Sequence, residues 1–142
     1  MTSKTFVDTN ILVYAHDLDA GNKHLIAKEA VSELWESRSG VVSTHVLQEL
    51  YVTLTRKIPT PLERPIVRRI VKNYANWEVV INDATIIIQA SEIEETYKLS
   101  FWDALIVSAA YSRNIDTILT EDLNHGQYLE GILITNPFIA KR

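Results

Sequence analysis

Short apolar runs alternate along the chain with longer stretches in which apolar residues recur every three or four positions. Thr5-Phe6-Val7 stops at Asp8 and reads as a first strand; Ile11 to Ala15 is a second apolar run directly after Asp8-Thr9-Asn10. From Asn22 to Ser37, the residues Leu25, Ala30, Val31, Leu34 and Trp35 fall at helical spacing. Gly40-Val41-Val42-Ser43 predicts a second strand, and Val46, Leu47, Leu50, Tyr51 and Leu54 mark the helix after it. Pro59, Pro61 and Pro65 interrupt the chain ahead of a helix running from about Pro65 to Tyr74. Trp77 to Ile81 is a third strand, interrupted by Glu78, while Asp83 to Tyr97 and Ser100 to Arg113 predict two further helices. Thr117-Ile118-Leu119 and Ile132-Leu133-Ile134 are the last strands. Strands that alternate with helices build βαβ units, with helices on both faces of the sheet. The pattern predicts an α/β protein, a three-layer α/β/α sandwich with a mainly parallel, roughly five-stranded sheet, in one domain over residues 1–142.

Composition adds exclusions. With 46% apolar and 23% charged residues, the chain is neither disordered nor a coiled coil. The absence of cysteine excludes disulfides and thiolate zinc sites, and suits a reducing cytoplasm. No stretch approaches the roughly 18 apolar residues of a membrane helix, and a lone lysine, an apolar triplet and Asp8 do not make a signal peptide. A soluble cytoplasmic protein with no membrane partner is expected.

Charge needs a finer reading. Fourteen basic against eighteen acidic residues give a net −4, which as a total argues against a nucleic-acid partner. Residues 56–74, however, hold Arg56, Lys57, Arg64, Arg68, Arg69 and Lys72 against Glu63 alone, a local +5 that leaves −9 for the remainder. Phosphate binding depends on local positive charge. These six are candidate RNA contacts, with a solvated helix face as the plainer alternative. Tyr74 and Trp77 lie nearby and could stack bases, although core packing is the more ordinary use of Trp77.

Open parallel sheets bind ligands beyond the carboxyl ends of their strands. The residues to weigh are therefore Asp8, Ser43 to Glu49, Asn82 and Asp83, Thr120 to Asp122, and Thr135 to Pro137. Asp8 lies between two apolar runs, where a charged carboxylate must be paired, hydrogen-bonded or metal-bound; a helix N-cap would also explain it. Asp103 is the only charge between Phe101 and Ser112, in a helix apolar nearly all round. A capping box with Ser100 accounts for an acid there equally well. Asp122 fits an Asx turn, and Glu121 beside it is either a spare ligand or solvated. Glu49 points away from the apolar stripe of its helix and, on periodicity alone, is a surface acid.

Taken together, Asp8-Thr9-Asn10 after a first strand, the acid in Val46-Leu47-Gln48-Glu49-Leu50, Phe101-Trp102-Asp103-Ala104-Leu105-Ile106 and Leu119-Thr120-Glu121-Asp122 resemble the PIN-domain nucleases. The similarity is greatest to VapC-type toxins of toxin–antitoxin pairs and extends to Asn136-Pro137-Phe138. One departure is Asn124-His125-Gly126, where many relatives carry an aromatic. The resemblance implies a single acidic metal site made by Asp8, Glu49, Asp103 and Asp122, with Asp8 and Asp103 innermost. Thr9, Asn10 and Thr120 form its polar surround. It also implies Mg²⁺ or Mn²⁺ as cofactor, in-line hydrolysis of RNA, a cognate antitoxin and a homodimer. Oxygen ligands do select such hard cations over zinc. His16, His24, His45 and His125 are too scattered for a zinc site. A non-catalytic RNA- or protein-binding module is the alternative. Phosphotransfer on an aspartate is disfavoured, because Asn10 stands where a dehalogenase-like enzyme needs a second acid. Thr135-Asn136-Pro137 likewise stands where a receiver domain wants lysine.

Overall fold

Five of the apolar runs become parallel neighbours in one sheet. The computed structural model describes residues 3–139, so both ends of the expected 1–142 domain lie outside the described residues. The strands are β1 (Thr5–Val7), β2 (Gly40–Ser43), β3 (Glu78–Val80), β4 (Thr117–Leu119), β5 (Tyr128–Leu129) and β6 (Ile132–Thr135). The helices are α1 (Thr9–His16), α2 (Asn22–Ser37), α3 (Thr44–Val52), α4 (Arg64–Tyr74), α5 (Ala84–Tyr97) and α6 (Phe101–Ser112). The sheet order is β3-β2-β1-β4-β6-β5.

That order explains the layers. Connections between parallel strands are right-handed, so stepping from β1 to β2 to β3 lays α1 to α4 on one face. The connection then turns back past β1 to β4, which lays α5 and α6 on the other face. The contacts agree: α1 packs on α2 and α3, α3 on α4, and α5 on α6. β2 is buried along its whole length, as a central strand covered on both faces must be. Phe6, Val41, Val42 and Ile118 on the sheet, with Leu12, Leu50 and Val107 on the helices, are fully or almost fully buried in the core. Among the described residues no helix is long and apolar enough to cross a membrane.

The α/β sandwich expected from the pattern is found, with two differences. The sheet has six strands because Tyr128–Leu129 pairs antiparallel with β6, Leu129 opposite Ile132. The two residues between them, Glu130 and Gly131, both have positive φ (51° and 80°), the requirement of the tight turn that suits a twisted hairpin. Tyr97 supports this turn, its hydroxyl donating to Glu130 Oε2 at 2.8 Å and accepting from the Glu130 N–H at 3.3 Å. The second difference is in the helix after β2, where α3 ends at Val52 and Thr53–Lys57 widens into a π-helical turn. That turn projects Lys57 towards the carboxyl end of the sheet.

Candidate active site

β1 and β4 lie side by side where the strand order reverses, since the chain steps outward from β1 to β2 and β3 and then returns past β1 to β4. Their carboxyl ends therefore flank the crevice at which ligands bind in this architecture. Asp8 follows β1 and Thr120 follows β4. The Asp8 backbone N–H still donates to Leu119 C=O (3.0 Å), while the Thr120 N–H turns to Thr135 C=O (3.0 Å) on β6. The strands part at this point, and the Asp8 carboxylate sits in the parting.

Asp8 caps α1, as the plainer sequence reading had it. One oxygen accepts from the Thr9 N–H at 2.7 Å and the other from the Thr120 hydroxyl at 2.8 Å. The residue is only 7% exposed, and burial pushes its carboxyl up to about 6. The Thr120 and Thr9 hydrogen bonds oppose that rise, and repulsion from Asp122 and Asp103 adds to it. The acids are thus close enough to sense one another across three separate elements.

The other expected residues gather around Asp8 unevenly. Glu49 Oε1 accepts from the Thr9 hydroxyl at 3.0 Å, so Thr9 joins the first acid to the second through its backbone and side chain. His45, one turn earlier on α3, brings Nε2 to 3.3 Å from the same oxygen, an ion-pair contact rather than an aligned hydrogen bond. This histidine holds Glu49 below its ordinary range and is itself raised by it. Asp122 is exposed, yet partial burial raises its carboxyl, with further repulsion from Asp103 and Glu121. The turn that carries it is made by Thr120, whose hydroxyl accepts from the Asp122 N–H at 3.1 Å, and not by an Asx turn of Asp122 itself.

Asp103 sits in the first turn of α6, where its N–H donates to the Ser100 hydroxyl at 3.1 Å. Only that half of the capping box forms. Among the described residues none donates to its carboxylate, which leaves the side chain free for another use. A cleft of about 390 Å³ is lined by Asp8, Thr9, Asn10, Glu49 and Asp122, together with Tyr14, Asp17 and Lys57. Asp103 does not line it. Among the described residues, no three His, Asp or Glu side chains stand close enough together to hold a metal ion.

Glu121 is partly exposed and is tied to α1 and α2. It accepts from the Tyr14 hydroxyl at 2.8 Å and from Lys23, whose ammonium also lies over the Tyr14 and Phe138 rings. His125 accepts from the Asn136 N–H at 3.0 Å and ties the loop after β4 to the end of β6. The six basic residues are all exposed and none has an ion-pair partner among the described residues. Lys57 lines the cleft and Arg64, Arg68, Arg69 and Lys72 follow on α4. Tyr74 and Trp77 are buried against each other and Trp35, so neither is available to a base. Asp17 and Tyr14 escaped the sequence reading. The i, i+4 spacing of His45 and Glu49 was the one available signal for His45.

A family model described as the PIN domain matches residues 5–128, most of the chain, with Asp8, Glu49, Asp103 and Asp122 inside the match. The chain belongs to the PIN-domain family. Solved structures agree on the fold. This PIN domain superposes on a toxin–antitoxin complex from Klebsiella pneumoniae with a TM-score of 0.70, at 21% identity over 95% of this chain and 98% of that one. For DNA-bound VapBC from Salmonella typhimurium the values are 0.68, 18%, 96% and 99%. For VapC20 of Mycobacterium tuberculosis, a sarcin–ricin loop cleaving toxin, they are 0.62, 24%, 81% and 87%. No curated protein sequence matches the chain.

The donor set of this PIN domain fits a hard divalent cation in kind. It is oxygen only, it includes a buried carboxylate under repulsion from two others, and Asn10 Oδ1 is buried beside it with no hydrogen-bond partner. Thr120 is the keystone of the arrangement, since its hydroxyl serves both Asp8 and the Asp122 turn. Thr120→Val is expected to lower stability by about 1–3 kcal/mol in urea unfolding near neutral pH. It should also move the Asp8 titration, followed by carboxyl NMR, further upward from about 6.

Proposed function

We propose that this chain is a metal-dependent endoribonuclease that hydrolyses RNA phosphodiester bonds, the toxin of a toxin–antitoxin pair, acting in the cytoplasm as a single PIN domain. The observation that carries this reading is the buried Asp8 carboxylate at the β1–β4 parting, raised to about 6 under repulsion from Asp122 and Asp103. A buried carboxylate repelled by neighbouring acids is costly to ionise unless a cation is held beside it. Asp8 and Asp103 would hold Mg²⁺ or Mn²⁺, with Glu49 and Asp122 completing the site. Such an ion, when bound, polarises a phosphodiester and acidifies a water.

The remaining chemistry belongs to the chain itself. Thr120 and the Thr9 N–H fix the two oxygens of Asp8, so the carboxylate has one orientation and need not be reorganised when substrate arrives. The Thr9 hydroxyl and His45 hold Glu49 towards the cleft. Lys57 brings a positive charge to the cleft wall, and the cations of α4 extend it into a track for RNA phosphates. The acidic total of the chain does not oppose this, because its acids include the four of the site. An antitoxin partner is supported by the toxin–antitoxin complexes among the structural neighbours, and a homodimer by the resemblance.

The deciding experiment pairs RNA cleavage with calorimetric titration. We expect cleavage that stops in excess chelator and returns with Mg²⁺ or Mn²⁺, and measurable binding of Mn²⁺ by the protein alone. A second reading, a non-catalytic PIN-like module that binds RNA or protein, draws on the lack, among the described residues, of three acids at ligand spacing. No heat of Mn²⁺ binding and no cleavage would establish that reading instead.

A further inference from the structure

Trp102 is 59% exposed, an unusual position for the largest apolar side chain, and it directly precedes Asp103 on α6. Its ring is not loose. One face lies parallel on the His45 imidazole, with centroids 5.1 Å apart and planes 11° from parallel. Phe101 meets it edge-on at 5.3 Å. His45 stands in the first turn of α3, next to Glu49, so this stack bridges the helix that carries Glu49 and the helix that carries Asp103. An aromatic ring already ordered on its inner side loses little conformational freedom when its outer side is covered.

We propose that the outer face of Trp102 receives an unpaired RNA base beside the phosphodiester that is cut, continuing the His45–Trp102 stack by one more ring. The proposal rests on the ribonuclease reading and names its substrate class: single-stranded segments, loops or ends. Bases within a duplex already have both faces covered, and every base offers a π-face whatever its sequence. An uncharged indole also suits this acid-rich margin, where phosphate attraction comes from Lys57 and α4. Trp102 is accordingly a substrate-positioning residue that sets how the strand lies over the acids.

The test measures binding, not turnover. Short fluorescein-labelled single-stranded RNAs are titrated with the Asp8→Asn protein in Mg²⁺, with and without Trp102→Ala or Trp102→Phe. The oligonucleotides are then remade with one base removed at each position in turn. Trp102→Ala should weaken binding roughly five- to a hundredfold, and Trp102→Phe should restore most of it. At one position the loss caused by removing the base should vanish when Trp102 is already alanine. Unchanged affinity, or base-removal losses identical with and without Trp102, overturns the proposal. So does a sedimentation result in which Trp102→Ala weakens binding only by dissociating copies of the chain, which assigns the ring to a protein contact. Should Trp102→Ala fail to fold, Trp102→Leu, which fills space without a π-face, carries the same base-removal comparison. Failure of the parent chain to bind or cleave RNA overturns the ribonuclease reading as well. Cleavage with an unaltered KM in Trp102→Ala overturns this inference alone.

Discussion

Asp8→Asn is expected to lower RNA cleavage by at least about a hundredfold while leaving the circular dichroism spectrum unchanged. The substitution is close to isosteric. The Asn oxygen can accept from the Thr9 N–H as the carboxylate does, and its amide can donate to the Thr120 hydroxyl, so both anchors of the residue survive. What disappears is the negative charge, and with it the strongest reason for a cation to settle at the β1–β4 parting. Asp103→Asn should behave the same way, since its carboxylate is free of the capping role that its backbone N–H plays. Metal-dependent cleavage retained in rigorously purified Asp103→Asn protein would remove that residue from the site.

In excess chelator the same Asp8→Asn protein should be more stable than the parent above neutrality. Burial sets Asp8 at about 6 in the folded protein against 3.8 for an unburied aspartate. A folded-state value above the unfolded one means that Asp8 favours folding most fully below about pH 4, and that this contribution is lost as pH rises through about 6. Above that, the ionised carboxylate disfavours the fold by about 3 kcal/mol relative to a neutral group. Asparagine carries no such dependence. The difference in Tm between variant and parent should therefore open between about pH 4 and pH 6 and level off above it, at several degrees. Saturating Mg²⁺ should close the gap by stabilising the parent alone. Equal or lower melting of Asp8→Asn in chelator at about pH 7.5 would falsify the view that Asp8 is held against its own charge.

Most of the fold is legible in the chain because its apolar runs are bounded sharply. Thr5–Val7, Asn22–Ser37, Gly40–Ser43 and Thr117–Leu119 coincide with their elements, each ended by a polar cap or turn residue. β5 was not legible. Two residues carry no periodicity, and their pairing depends on a Glu130-Gly131 turn that Tyr97, 33 positions away, holds in place. The site divides along the same line. Asp8 and Asp103 stand out because a lone acid among apolar residues demands a partner. Glu49 does not stand out, since its link to Thr9 is made by the packing of α1 on α3, and only the family resemblance singled it out. The ties of Glu121 were hidden for the same reason: Tyr14 and Lys23, which bind it, are 107 and 98 positions earlier.

The hydrogen bond from Thr120 to Asp8 spans 112 residues. β4 slots in beside β1 only after β2, β3 and all six helices have been made, and Thr120 is then fastened to β6. An N-terminal fragment, however well folded, holds Asp8 and Glu49 without the hydroxyl that orients one of them or the acid that follows it. A growing polypeptide on the ribosome therefore lacks the assembled crevice until β4 and β6 have left the exit tunnel.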